Sequence, residues 1–238
     1  QKKSAIPSDK AIESEVHPAC QSQILRAGLS HNNSYKFGLS GIDESIIPER
    51  IWRKLFLKHL PYRAKYARHL DEFGLDILRE AIAADLAPLR GISLHPNEII
   101  IVSDEYRAFD LINHALLKPG DYVVVETPCD RGVVFDLEKF GVNVLPVPID
   151  KNGLLVDKIP DKPIALVYVS PSHQIPMAST LSLERRHGLL ACAEKVGAYI
   201  VENDTFGEFC YSGAVVSPLK ALDINDRVIY VNSFSNWI

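Results

Sequence analysis

Six short runs of this chain are almost continuously apolar, and they limit what it can fold into more than any other feature. They are Glu98–Val102, Tyr122–Val125, Val142–Val147, Ile164–Val169, Ala198–Val201 and Val228–Val231. Strands with one wet face alternate apolar and polar residues, whereas strands covered on both faces read as unbroken apolar runs. Helical periods separate several of the runs. Ala108, Leu111, Ile112, Ala115 and Leu116 recur at helical spacing, and Leu183–Val196 forms another such stretch. A helix is expected from about Pro48, where proline suits the first helical position, and another over about Leu75–Ala87. The pattern predicts an α/β fold, a largely parallel sheet with helices on both faces. Leu111, Ile112, Val124, Leu166, Val167, Ile200 and Ile229 are the expected core. Ligands in such sheets bind beyond the carboxyl ends of the strands.

Composition narrows the function. The chain has 238 residues, 47% of them hydrophobic, which is enough for one substantial core. Its formal charge of −4, with acids and bases mixed along the chain, provides no basic face for phosphates, so nucleic acid is not expected as a direct partner. Cys20, Cys129, Cys192 and Cys210 are widely spaced with no CxxC pair, and no histidines stand at metal-ligand spacing, so no metal centre is expected. No apolar run is long enough to span a membrane, and the expected location is the cytoplasm. Residues 1–36 are rich in Ser, Lys, Glu, His and Asn without periodicity, and read as a linker or surface arm.

Motifs arranged in order along the chain add a lineage. Ser170-Pro-Ser-His-Gln-Ile-Pro176 is followed by Leu183-Glu-Arg-Arg186, then Val201-Glu-Asn-Asp-Thr-Phe-Gly-Glu-Phe209, then Val228-Ile-Tyr-Val-Asn-Ser-Phe-Ser-Asn236. Upstream stand Phe37-Gly-Leu-Ser-Gly-Ile-Asp43, Gly74 with Leu78-Arg-Glu-Ala-Ile-Ala83 and Arg90-Gly-Ile92, and Leu117-Lys-Pro-Gly-Asp121 followed by Val125-Glu-Thr-Pro128. In this order they resemble the aminotransferase-like domain of the MocR regulators, within the fold type I pyridoxal phosphate enzymes. The resemblance covers residues 37–238 and implies the large domain of that fold. It also implies that a carboxy-terminal small domain, which supplies the arginine for a substrate carboxylate, and an upstream winged helix-turn-helix lie outside this sequence; both ends are expected to be cut.

The resemblance places the cofactor site residue by residue. Asn236 stands at the position of the lysine that forms the Schiff base, and an amide nitrogen can neither form an aldimine nor move a proton. Ser233 and Ser235 occupy hydroxyl positions near the phosphate, or are turn residues. Asn203 replaces the aspartate that keeps the pyridine nitrogen protonated, and Phe206 replaces a tyrosine. The small residues of the phosphate loop are replaced by Ser103-Asp104-Glu105-Tyr106. Asp104 and Glu105 either oppose an anion there or stabilise the first turn of a helix. Asp130 stands where an aromatic stacks on the ring, and Met177-Ala178 stands where the family has Thr-Gly. His173 and Gln174 match the family pair, while Asp204 and Glu208 are expected to cap or pair locally. Pyridoxal phosphate is thus the cofactor implied by resemblance, with a homodimer and a small amino acid or amine ligand as implied partners. Three functions follow: a non-catalytic domain of this ancestry, a working aminotransferase, or the effector-binding and dimerisation domain of a GntR/MocR-type regulator.

Overall fold

A computed structural model describes residues 47–62, 71–209 and 216–235. The chain divides into units Gln1–Leu39 and Ser40–Ile238, and the described residues all belong to the second. The proposed linker of residues 1–36 therefore lies outside the described residues.

The sheet contains β1 (Tyr122–Thr127), β2 (Asn143–Asp150), β3 (Gly153–Leu154), β4 (Ile164–Val169), β5 (Tyr199–Asn203) and β6 (Val228–Val231), in the order β3-β2-β1-β4-β5-β6. All neighbouring pairs are parallel except the hairpin of β2 and β3. That hairpin turns tightly at Gly153, where φ is +85° and an added Cβ would lie 2.7 Å from the Leu181 Cα, so no side chain fits.

Among the described residues the helices are α1 (Glu49–His59), α2 (Asp76–Arg90), α3 (Glu105–Leu116), α4 (Arg131–Phe140), α5 (Leu183–Val196) and the short α6 (Leu219–Leu222). Period-2 alternation divides the strands between two cores. Val123, Val125, Leu166 and Val201 pack with Phe109 of α3 and with Val133 and Leu137 of α4. Val124, Val167, Ile200 and Val228 pack on the other face with Leu189 and Ala193 of α5. Both faces are covered, as continuous apolar runs require.

The structure corrects the sequence reading in several places. Glu98–Val102 is not a strand: Pro96–Glu98 is a single 3-10 turn, capped by Glu98 accepting from the His95 N–H at 2.6 Å and His95 accepting from the Asn97 N–H at 3.2 Å. Residues 99–102 then run outside any ladder, because no described strand lies beside them. The hairpin strand β3 was not expected; two residues are too few to leave a periodic signal. Pro48 is the cap of α1 rather than its first residue.

Two core assignments also shift. On α3 the inward residues are Phe109 and Asn113, Ile112 is half-buried, and Leu111 is 42% exposed. At 100° per residue Leu111 lies about 200° round from Phe109, on the outer face. Ile229 is half-buried because β6 is the last strand of the sheet and has one open edge. Val124, Leu166, Val167 and Ile200 are buried as expected.

These burials predict different costs for one substitution. Leu189→Ala, at a fully buried site, is expected to destabilise by about 2–5 kcal/mol. Leu111→Ala is expected to change stability by less than about 1 kcal/mol. Urea midpoints of the two variants compare them directly, and equal losses would contradict the assigned face of α3.

Candidate functional site

The site predicted by topology lies beyond the carboxyl ends of β1, β4, β5 and β6, and its framework is a set of buried charges at the end of β5. Glu202 and Asp204 are two residues apart, so both side chains lie on one side of the sheet. Arg90, the last residue of α2, donates to Asp204 at 2.5 Å, to the Gly207 carbonyl at 2.8 Å and to the Ser172 hydroxyl at 3.3 Å. The Tyr230 hydroxyl of β6 donates to the same Asp204 oxygen at 2.7 Å. Arg186 of α5 donates to the carbonyls of Leu181 and Pro171 at 2.9 and 2.7 Å, and its guanidinium lies 3.7 Å from Glu202. Glu202 accepts from the N–H groups of Leu219 and Lys220 at 2.7 and 2.8 Å, which fixes the start of α6. Burial, followed by the charge of Asp204, raises the Glu202 carboxyl to about 7.

A second buried carboxylate holds the loop between β4 and α5. Glu126, at the end of β1, accepts from the Ser170 N–H at 3.1 Å and from Gln174 Nε2 at 3.4 Å. Gln174 also donates to the carbonyls of Pro128 and Ile175 at 2.7 and 2.9 Å, and its Oε1 accepts from the Met177 N–H at 3.0 Å. Gln174 thus joins two loops and closes the turn that contains Ala178. That alanine has φ 55°, in the left-handed region where a Cβ is strained, at the position where the family resemblance places a glycine. Burial raises Glu126 to about 7, and its Oε1 has no partner among the described residues.

The residues singled out from sequence divide into distinct groups. Asp104 caps α3: its Oδ1 accepts from the Arg107 N–H at 2.8 Å and its Oδ2 from the Ser103 hydroxyl at 2.9 Å. These bonds, the backbone one first, hold its carboxyl below the usual range. Asp130 caps α4 through the Gly132 N–H at 2.7 Å and accepts from the Tyr106 hydroxyl at 3.4 Å. Glu105 is half-buried. Burial and then the charge of Asp130 raise its carboxyl, against the opposing effect of a hydrogen bond to Thr205. Helix capping is therefore the structural role of Asp104 and Asp130.

Asn203 is buried and its polar atoms are occupied within the protein. Its Nδ2 donates to the Tyr168 hydroxyl at 2.9 Å, and its Oδ1 accepts from the Thr205 N–H at 3.2 Å. Phe206 is half-buried, with its ring 6.3 Å from that of Phe209. His173 is half-buried, and its Nδ1 has no partner among the described residues. The Ser233 and Ser235 hydroxyls lie 2.7 Å apart, beside Asn232, which donates to Glu208 at 2.7 Å. Asn236 lies outside the described residues.

A cavity of about 580 Å3 opens among Arg90, Asp104, Glu105, Glu208, Ser233 and Ser235. It unites the α3 start with the turn after β6, whereas Asp130, His173, Asn203 and Phe206 do not line it. Sequence reasoning did not anticipate Tyr168, Tyr230, Glu126 or the buried role of Arg186. Glu126 carries a visible signal, an acid inside an apolar run, but the partners of these groups lie far away in the chain. No cluster of metal-ligating side chains occurs among the described residues, and no described helix is long and apolar enough to cross a membrane.

Pyridoxal phosphate is the cofactor the resemblance implies, and two groups at its matched positions are already engaged within the protein. An anion binds a helix start through unclaimed N–H groups, but the start of α3 is already capped by the carboxylate of Asp104. The pyridine nitrogen calls for a carboxylate, and the position matched to it carries a neutral amide bonded to Tyr168 and Thr205.

No family model matches the chain. It is 34% identical over 217 residues to the uncharacterized HTH-type transcriptional regulator YhdI of Bacillus subtilis, matching 90% of this chain and 46% of that protein. It is 32% identical over 194 residues to aromatic-amino-acid aminotransferase 1 of Thermococcus litoralis, matching 78% of this chain and 46% of that one. The chain spans about half the length of these relatives. Among solved structures, the multiple substrate aminotransferase of Thermococcus profundus superimposes with a TM-score of 0.81 at 27% identity, covering 96% of this chain and 59% of that one. The kynurenine aminotransferase of Pyrococcus horikoshii gives 0.79 at 29% identity, covering 96% and 58%.

The two loops predict two stability changes. Glu126 is raised from an ordinary 4.5 to about 7. The stability linked to its proton is then fully present below about pH 4.5 and lost as pH rises through 7, on the order of 3 kcal/mol in all. Glu126→Gln is expected to flatten this part of the profile, read as urea midpoints at pH 5 and pH 8. An unchanged slope would mean that Glu126 titrates normally. Ala178→Gly relieves a left-handed Cβ and is expected to stabilise by up to about 1 kcal/mol, measured as a rise in Tm.

Proposed function

We propose, from the premise that this chain's homologues are MocR/GntR-type regulators and aminotransferases and that its fold is that of the fold type I pyridoxal phosphate enzymes, that it is a non-catalytic domain of that ancestry. In this role it binds a small amino acid or amine, pairs with a second copy, and makes no direct contact with nucleic acid. Its place is the effector-binding and dimerisation domain of a regulator.

One observation carries the reading: the start of α3, where the family resemblance places the phosphate, is capped by the protein's own Asp104 and followed by Glu105, whose charge is already disfavoured by burial and by Asp130. A phosphate dianion brought there would meet two carboxylates and few free N–H donors. Supporting it, Asn203 is neutral and internally bonded, and residue 236 is asparagine.

The competing reading is a working aminotransferase, and it requires a lysine to take over from Asn236. Pyridoxal phosphate added to the purified protein is expected to give no aldimine band that borohydride traps, and no transamination of common amino acids. Asn236→Lys alone is expected not to restore turnover, because the α3 cap and Asn203 remain. Transamination by the single variant would sink the proposal, and a reducible band in the unaltered protein would point to another lysine.

A further inference from the structure

Phe109 and Asn113 are the two buried residues of α3, one turn apart on its inward face. Phe109 does what that face requires: its ring packs edge-on against Tyr168, with centroids 5.2 Å apart. Asn113 instead carries an amide into the same layer, and it is only 7% exposed. Its main chain continues the helix, with the carbonyl accepting from the Leu117 N–H at 2.9 Å. Its side-chain amide, which has two N–H donors and one acceptor oxygen to match, has no partner among the described residues.

That residue lines a small cavity in the seam between α3, α4 and the sheet. Leu137 of α4, Leu166 of β4 and Val201 of β5 are among its apolar walls, and Asp136 of α4 is its one exposed lining residue. The Asp136 carboxylate also has no hydrogen bond or ion pair among the described residues. The cavity leaves about 10 Å3 free, which is room for about one water-sized sphere.

Size and polarity together select the occupant. An apolar guest would leave the amide unmatched, and a buried amide without a partner forfeits its hydration with no return. An anion would meet the charge of Asp136. A small cation would lose more hydration among apolar walls than one amide and one surface carboxylate give back. Water both donates and accepts, and two polar partners are enough to hold it in a protein interior.

We propose that this cavity is a binding site for one ordered water molecule, held by the Asn113 amide and the Asp136 carboxylate. The water hydrates the seam between the two helices whose first turns are capped by Asp104 and Asp130. It makes Asn113 the polar break in an otherwise apolar layer. A leucine has nearly the shape of asparagine and nothing to hydrate, so Asn113→Leu releases the water and joins the side chain to Phe109, Leu137 and Leu166. The proposal is independent of whether pyridoxal phosphate binds, because its polar groups take no part in the matched cofactor positions.

The test uses the intact 238-residue protein, with nuclear Overhauser contacts to water as readout. A long-lived water is expected to show contacts to the Asn113 side-chain amide and to the methyls of Leu137 and Val201, which do not exchange their protons. In Asn113→Leu the methyl contacts are expected to vanish, while the Tm stays level or rises by up to about 4 °C. Three results would overturn the proposal. They are no long-lived water contact at those methyls in the unaltered protein, contacts that persist undiminished in Asn113→Leu, and a fall in Tm on that substitution, which would mean that the amide is bonded within the protein.

Discussion

The pairing of Arg90 and Arg186 with Asp204 and Glu202 is the constraint on which the rest of the structure depends. Both arginines and both carboxylates are almost wholly buried, and desolvation makes such charges costly unless each has partners. The partners come from several elements: α2, α5, β5, β6, the loop after β4 and the start of α6. Because one missing group would strand a buried charge, these elements are locked into a single mutual arrangement. The carboxyl ends of the strands, where the candidate site lies, inherit their geometry from this cluster.

Beside that framework, the site resolves a competition between two uses of the same atoms. The N–H groups at a helix start can receive an external anion or an internal carboxylate, and Asp104 at α3 and Asp130 at α4 supply the internal one. Asn203 follows the same logic, its side chain being bonded to the Tyr168 hydroxyl and to the Thr205 N–H. The fold retains a cavity at this place while the groups around it satisfy one another.

Most of the sheet was legible because its signal is local. An unbroken run such as Ile164–Val169 can be stable only when covered on both faces, and α5 matched its expected bounds, with Ser182 accepting from the Arg185 N–H to cap it. Residues 99–102 were misread for the converse reason. Their composition is that of a strand, but a ladder is a property of two segments, and the described residues place none alongside. Leu111 was misread because α3 carries apolar residues on two adjoining stripes, and only packing against β1 and β4 selects the one with Phe109.

The sequence by itself determined the α/β class, the order of the strands' apolar runs, the lineage carried by the ordered motifs, and the identity of the residues at each family position. Those are properties of composition, period and order along the chain. Tertiary structure alone decided what each polar residue does: Asp104 caps a helix, Gln174 ties two loops, and Asp204 meets Arg90 across 114 residues of sequence. A buried polar group takes its role from whichever partner folding places within about 3 Å. That distance is fixed by the packing of whole elements, which no local pattern contains.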